Sequence, residues 1–358
     1  MDRLKVPAPQ FRVSSFQFRA AGRLAACGLA FTVLLVFLTS CGARRETRLS
    51  GRTMGTTWHV TVAHGVFDRP RGLAVRIERR LDDLNRTFST YRPDSEINRF
   101  NRWPAGEKPF EASGDFAAVL RAAARIHALS GGAWDGTVGP LVDLWGFGSA
   151  TTGRRVPADE EIRAARERVG FDAIRPGSRR TFFKEREGLA LDLASIAKGF
   201  AVDALAELIR GAGYTDFLAE IGGEVVAGGR RSDGLPWRVG INTPRPGAAA
   251  DAVHRVVGLS ERAMATSGDY RNFFELEGRR YSHLIDPRSG RPVSNGVVST
   301  TVLAADCTQA DGLATAVTVM GVEAGLALVE GLPGVEALLV TVEDRGALHD
   351  HISNGFPH

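Results

Sequence analysis

The spacing of apolar and polar positions predicts strands and helices that are mixed without regular alternation. In residues 57–62, for example, Trp58, Val60 and Val62 alternate with polar side chains, as expected of a half-buried strand. The predicted strands are residues 57–62, 189–193, 214–218, 224–227, 237–241, 253–259 and 297–304. The predicted helices are residues 73–84, 116–129, 159–169, 196–209 and 309–320. This pattern indicates an α+β fold.

The N-terminal region has the pattern of an export signal. Five basic residues and one acidic residue precede an uncharged apolar run over residues 24–38, which is too short to favour a membrane-spanning helix. The run ends in Leu38-Thr39-Ser40-Cys41, which resembles the lipobox of bacterial lipoproteins. We therefore expect a signal peptide at 1–40, lipid on Cys41 and a tether over 41–50. An ordinary cleaved signal and an uncleaved anchor are the alternatives.

Composition and charge exclude several classes of protein. The chain has 358 residues, of which 44% are hydrophobic and 24% charged, so it can bury a large core, in one unit or in two lobes. The formal net charge of +4 is accounted for by residues 1–40, and acidic and basic residues alternate in the rest of the chain. A nucleic-acid partner is therefore not expected. Cys27 would leave with the signal and Cys41 would carry lipid, so Cys307 has no disulfide partner.

Glycine-rich and carboxylate-bearing segments lie mostly between the predicted elements, where binding sites are usually built. They are Met54-Gly55-Thr56, Ser89-Thr90-Tyr91, residues 137–148 (Thr-Val-Gly-Pro-Leu-Val-Asp-Leu-Trp-Gly-Phe-Gly), 192–199 (Asp-Leu-Ala-Ser-Ile-Ala-Lys-Gly), 266–271 (Thr-Ser-Gly-Asp-Tyr-Arg), 283–292 (His-Leu-Ile-Asp-Pro-Arg-Ser-Gly-Arg-Pro) and 310–315 (Ala-Asp-Gly-Leu-Ala-Thr).

Together these seven segments resemble, in order, the motifs of the ApbE family of flavin transferases. Each motif is weakly specific, but the whole series is very hard to obtain by chance. The resemblance covers residues 51–345 and leaves 346–358 as a C-terminal tail. It implies an ApbE-like (T-fold-like) arrangement of mixed sheets flanked by helices. It also implies an enzyme that uses FAD and Mg²⁺ to transfer FMN onto a threonine of another protein, with release of AMP.

The magnesium ligands follow partly from spacing and partly from the resemblance. Asp311 and Thr315 are four residues apart in a predicted helix, so their oxygens lie on one face. Mg²⁺ prefers oxygen ligands and commonly binds one or two carboxylates together with substrate phosphates. An aspartate that opens a helix is more often a cap. The resemblance favours the metal and adds Ser195, with its backbone carbonyl as the expected ligand.

The resemblance also implies the contacts with FAD. The residues concerned are Met54, Tyr91, Ala133, Trp134, Asp135, Asp192, Lys198 and Ile285. Lys198, near the start of a predicted helix, is expected to offset pyrophosphate charge, although a solvated surface lysine is the alternative. Met54 and Tyr91 are expected against aromatic rings of FAD, and core positions are their alternative.

His283 is the candidate general base for the threonine hydroxyl, since an unperturbed imidazole titrates near pH 6.5. A structural histidine is the alternative. The acceptor threonine is expected in a motif such as Asp-Gly-x-Thr-Gly-Ala-Thr, on a respiratory membrane subunit or an FMN-binding domain on the periplasmic side of the cell envelope. Which membrane carries the lipid stays open. Other functions that stay open are an FAD pyrophosphatase and a flavin-binding lipoprotein without turnover. No dinucleotide-binding glycine turn or P-loop follows a predicted strand.

Overall fold

The computed structural model describes residues 44–148, 153–249, 251–269, 272–343 and 346–357. The predicted signal peptide and Cys41 lie outside the described residues. In this part of the chain the helices are α1 (Leu73–Phe88), α2 (Glu96–Asn101), α3 (Gly114–Leu129), α4 (Gly139–Leu144), α5 (Asp159–Arg166), α6 (Ala194–Gly211), α7 (Cys307–Met320) and α8 (Val322–Glu330). None of these described helices is long and apolar enough to cross a membrane.

The strands of the described residues form one large sheet and several small ones. They are β1 (Arg44–Thr53), β2 (Thr56–Gly65), β3 (Phe110–Glu111), β4 (Ile174–Pro176), β5 (Thr181–Lys184), β6 (Phe217–Ile221), β7 (Glu224–Gly228), β8 (Trp237–Asn242), β9 (Val253–Leu259), β10 (Arg262–Gly268), β11 (Phe273–Leu276), β12 (Arg279–Ser282), β13 (Ile285–Asp286), β14 (Arg291–Pro292), β15 (Val297–Ala304), β16 (Glu336–Val342) and β17 (Leu348–Ile352). The large sheet has the order β1-β2-β6-β7-β10-β15-β16-β17. Each neighbouring pair in it is antiparallel. The predicted α+β class is confirmed.

The large sheet is covered on both faces, which explains why β7 and β15 are buried along their whole length. In β16, Ala337 and Leu339 join the core under the helices, whereas Leu338 and Val340 join a second core under the β8–β9 hairpin. This alternation follows from the two-residue period of a strand. The sheet is therefore the middle layer of the molecule.

Two expected boundaries are wrong, and both concern edge strands of the large sheet. Residues 44–50 of the expected tether belong to β1, which pairs with β2 from Arg44 to Thr53. Residues 348–352 of the expected tail form β17, which pairs with β16. Edge strands tolerate many charged side chains because one side of the strand faces solvent. Their polar composition therefore resembles that of a tether or a tail.

The expected strand at residues 189–193 is also absent. Leu189, Leu191 and Leu193 are buried as the alternation predicts. The backbone of Leu191, however, pairs with the side-chain amide of Asn101, which accepts from its N–H at 2.7 Å and donates to its carbonyl at 3.0 Å. A side chain thus replaces the neighbouring strand. The other predicted elements are present, although β6 begins at Phe217 rather than at residue 214.

Candidate functional site

A cleft of about 350 Å³ opens at one end of the large sheet. The turn between β6 and β7 lies at this end, next to the β1–β2 hairpin, because Gly222 donates its amide to the Thr57 carbonyl. The cleft is lined by the start of α6, the start of β7, the end of β10, one face of α7 and the segment after β12. The predicted residues that line it are Ala133, Trp134, Asp135, Asp192, Ser195, Lys198, His283, Ile285, Asp311 and Thr315.

Met54 and Tyr91 do not line the cleft. Met54 and Gly55 form the two-residue turn between β1 and β2, both with positive φ (47° and 73°), as the tight turns of hairpins require. Met54 packs partly against the main core. Tyr91 is 87% exposed, so its alternative assignment to the core is wrong. The stacking of these two residues on FAD stays a prediction.

Asp311 and Thr315 project from α7 as their spacing predicts. Asp311 is only 4% exposed, and its Oδ2 accepts from the Gly199 amide of α6 at 2.9 Å. Burial raises the pKa of Asp311, against the opposing effect of Lys198. The Thr315 hydroxyl lies 2.9 Å from that of Ser267 on β10. A buried carboxylate and a hydroxyl therefore face the cleft from a single helix.

Glu224 is a site residue that the sequence prediction missed, although it ends the segment Glu220-Ile221-Gly222-Gly223-Glu224 between two predicted strands. It is 2% exposed, and its Oε1 lies 2.5 Å from Lys198 Nζ. Its other oxygen, Oε2, is buried and has no hydrogen-bond partner among the described residues. A buried carboxyl oxygen without a partner is costly, and in the ionised form of Glu224 it provides a vacant acceptor beside the cleft.

One lysine between two buried carboxylates sets the electrostatics of this site. Burial, reinforced by the charge of Asp311, raises the pKa of Glu224 to about 8 even though Lys198 lowers it. Burial lowers the pKa of Lys198, but the charges of Asp311 and Glu224 outweigh this effect and leave it raised. Lys198 thus stays protonated, and the alternative of a freely solvated lysine is wrong.

Trp134 joins the segment 133–135 to the start of α6. Its Nε1 donates to the Ser195 hydroxyl at 2.9 Å, and its ring is almost fully buried. Asp192 lies two residues before α6 begins, and its Oδ1 accepts from the Ala194 amide, the first of the helix, at 3.0 Å. These contacts fix the first turn of α6, on which Lys198 depends.

Asp135 borders the cleft, and its carboxylate joins its own loop to the segment at Phe171. Oδ1 accepts from the amide of Thr137 at 2.7 Å and from its hydroxyl, and Oδ2 accepts from the Phe171 amide at 3.0 Å. The carboxylate therefore orders this loop. Its expected contact with FAD stays a prediction.

His283 has the tautomer that a general base needs. Its Nδ1 lies 2.9 Å from the carbonyl oxygen of Asn272, which can only accept, so Nδ1 carries the proton and Nε2 keeps a lone pair. Burial lowers the pKa of His283, which favours the neutral ring. Asp286, its neighbour in the same motif, is bound instead to Arg288 at 2.9 Å. His283 is thus oriented by a backbone carbonyl.

The oxygen donors of the cleft fit a magnesium ion that is shared with phosphates. No group of three or more His, Cys, Asp and Glu side chains gathers at one point within the described residues, so a site built from protein ligands alone is absent there. Mg²⁺, however, usually takes one or two carboxylates, water and substrate phosphates. Asp311, Thr315 and the unpartnered Oε2 of Glu224 supply that kind of set.

The protonated lysine, buried carboxyl groups and hydroxyls of the cleft suit a ligand that carries phosphate groups. A model described as the ApbE family matches residues 54–339, and the chain belongs to this family. It is 41% identical over 325 residues to the FAD:protein FMN transferase of Vibrio cholerae, covering 90% of this chain and 95% of that protein.

Solved structures agree with this assignment. The flavin transferase ApbE from Vibrio cholerae superposes with a TM-score of 0.79 at 39% identity, covering 87% of this chain and 98% of that one. The apo flavinyl transferase ApbE from Pseudomonas stutzeri gives 0.78 at 38% identity, covering 87% and 95%. The protein is therefore a transferase of the ApbE family.

Proposed function

We propose that this protein transfers FMN from FAD to a threonine of an acceptor protein and that it requires Mg²⁺. The observation that carries the proposal is the cluster of Lys198, Glu224 and Asp311 in the cleft. Its chemistry suits a pyrophosphate and a divalent cation. The curated name of the 41% identical relative supports the reaction.

The residues that would hold the ion are Asp311, Thr315 and the carbonyl of Ser195, with the free Oε2 of Glu224 beside them. When bound, Mg²⁺ would neutralise charge on the phosphates. Lys198 would contribute a second positive charge once a phosphate oxygen competes with Glu224 for it. Trp134 and Asp192 would keep the first turn of α6 in place while FAD binds.

His283 is the residue that we assign to the proton transfer. Nε2 would take the proton of the threonine hydroxyl while that oxygen forms a bond to the phosphorus on the riboflavin side. The bond between that phosphorus and the bridging pyrophosphate oxygen breaks, and AMP leaves. FMN stays on the threonine as a phosphoester, so atoms and charge balance.

The acceptor and the location belong to the same proposal. We expect an acceptor with a threonine in a motif such as Asp-Gly-x-Thr-Gly-Ala-Thr, on the periplasmic side of a bacterial envelope. Lipid on Cys41 would hold the enzyme at the membrane.

The test is to incubate the protein with FAD, MgCl₂ and a small domain that carries the threonine motif, and to weigh the domain by mass spectrometry. We expect a gain of one FMN group that EDTA and Asp311→Asn abolish. Asp203→Asn is the matched control, because Asp203 is a partly buried carboxylate that accepts from the Cys307 and Thr308 amides of α7, outside the cleft. FMN and AMP without a modified acceptor would mean a pyrophosphatase, and intact FAD would mean a flavin-binding protein.

A further inference from the structure

The end of the large sheet opposite the cleft carries exposed arginines around two exposed apolar side chains. Phe67, in the loop after β2, is 92% exposed, and Leu235, in the loop before β8, is 58% exposed. We call this surface the basic end. It comprises the exposed residues Arg44, Arg45, Phe67, Asp68, Arg69, Arg71, Arg230, Asp233 and Leu235, so its five arginines outnumber its two aspartates.

Hydrogen bonds join the two loops to the start of β1. Arg44 is opposite Gly65 in the β1–β2 register, and Gly65 is two residues before Phe67 in the chain. The Asp216 carboxylate accepts from Arg44 at 2.6 Å and from the Arg230 amide at 2.8 Å. These contacts place Phe67 and the loop that carries Leu235 around one strand end.

Several arginines of the basic end have no acidic partner. Arg44 pairs with Asp216, but Arg45, Arg69 and Arg71 form no ion pair with any residue of the described chain. Uncompensated arginines around isolated apolar side chains are typical of surfaces that contact anionic lipid headgroups. The apolar side chains enter the interface and the guanidinium groups bind phosphates.

The occupant of this surface is inferred from the lipid that we propose on Cys41, just before the described chain, so this inference rests on that part of the proposed function. Arg44 is three residues after Cys41 in the sequence, so an extended chain between them spans roughly 10 Å. We propose that the basic end lies against an anionic phospholipid surface, with Phe67 and Leu235 in the headgroup region. The flavin transfer proposed above is not needed for this contact, so either proposal can fail alone.

This orientation would set the height of the cleft above the membrane. β1 runs through ten residues from Arg44 to the Met54 turn, which corresponds to roughly 30 Å at about 3.3 Å per residue. The cleft lies at the Met54 end and faces away from the basic end. An acceptor threonine would then be modified roughly 30 Å from the lipid.

The test uses a chain that begins at Gly42, which keeps every described element and the cores on both faces of the large sheet. Cys307 is then the only cysteine and is fully buried, so Phe67→Cys can be labelled selectively with a polarity-sensitive fluorophore. We expect a blue shift with vesicles of phosphatidylglycerol and phosphatidylcholine but not with phosphatidylcholine alone. The same label at Leu276→Cys, on the exposed β11–β12 hairpin, should not shift.

Charge is tested separately from insertion. Arg69→Gln with Arg71→Gln should weaken vesicle binding on the order of tenfold or more. Arg121→Gln with Arg125→Gln removes the same charge from α3 and should change it little. An equal loss in both pairs, or no spectral shift at position 67, would overturn the proposal. Binding to polyglutamate as tight as to the vesicles would indicate an acidic protein partner instead.

Discussion

Gly199 donates its backbone amide to the Oδ2 of Asp311 at 2.9 Å, and this bond joins the two helices that build the cleft. A side chain at position 199 would collide with the Cys307 carbonyl and with the Cβ of Asp311. The position of the buried carboxylate therefore depends on how closely α6 approaches α7. The glycine is required here by the contact between the helices.

Gly199→Ala should accordingly damage the site more than the fold. The added methyl group forces α6 and α7 apart, at a cost of about 1–3 kcal/mol as for other overpacked positions. FAD affinity in the presence of Mg²⁺ should fall by more than tenfold, because Asp311 moves with α7. Thermal unfolding and FAD titration measure the two effects.

Gly211→Ala is the control for this substitution. It lies at the end of the same helix, where a Cβ would meet nothing within 4 Å. The change should be neutral or stabilise the protein by about 0.5 kcal/mol. Equal FAD affinity in Gly199→Ala and Gly211→Ala would show that the helix contact does not position the site.

Much of the site could be predicted from the sequence because its residues lie in short contiguous motifs. Asp311 and Thr315 share a helix face, and Lys198 is near a helix start, so local spacing gives their geometry. Glu224 was missed because its partner Lys198 is distant in sequence and meets it only through sheet topology. A buried ion pair between an α6 lysine and a β7 glutamate leaves no local pattern.

The fold errors have a related cause. β1 and β17 are the two edges of the large sheet, and their exposed charges give no apolar alternation strong enough to predict a strand. At residues 189–193 the sequence predicts a strand where the structure has none. Their alternation is real, but burial of Leu189, Leu191 and Leu193 does not require a strand partner when Asn101 satisfies the backbone.

Lys198→Met should destabilise the magnesium-free protein. The change leaves Glu224 and Asp311 without their counter-charge, and an unsatisfied buried partner costs about 1–3 kcal/mol. Because the pKa of Glu224, about 8, already includes the lowering effect of Lys198, Glu224 should hold its proton to still higher pH once the lysine is gone. The loss of stability should be larger at alkaline pH than near pH 6, and Mg²⁺ should reduce it.

Lys184→Met is the control, because it removes a buried lysine that lies away from the cleft. Lys184 is 2% exposed and donates to the carbonyls of Asn101 and Trp103, away from the cleft. This variant should also lose stability, but Mg²⁺ should not restore it. Restoration of both variants by Mg²⁺ would contradict the assignment of the ion to the cleft. Denaturant unfolding with and without MgCl₂ is the measurement.

Asp203 should make stability depend on pH in a mildly acidic window. Burial raises its pKa from 3.8 to about 6, against hydrogen bonds from Thr308 and Cys307. Between these values the folded state holds a proton that the unfolded state has lost, so the free energy of unfolding falls as pH rises through the window. Asp203→Asn should remove this part of the slope. An unchanged slope would mean that Asp203 titrates normally.

Tyr91→Ala should weaken FAD binding without affecting the fold. Its side chain is 87% exposed, so its removal should change the free energy of unfolding by less than about 0.5 kcal/mol. If the ring stacks on FAD, its loss should raise the dissociation constant roughly tenfold. Val75→Ala is a control at another exposed apolar position. Unchanged FAD affinity in Tyr91→Ala would remove this residue from the site.

His283→Ala should slow transfer while leaving FAD affinity unchanged, because the ring is assigned to proton transfer alone. Burial lowers the pKa of His283 below 6.5, and the neutral ring is the active form. The single-turnover rate should therefore be flat at neutral pH and fall only below about pH 6.5. His254→Ala is the control, since His254 lies 2.7 Å from Asp350 on β17, far from the cleft. If His283→Ala kept the full rate and the same acid limb, the proton would have to leave by another group, and the hydrogen bond to Asn272 would be purely structural.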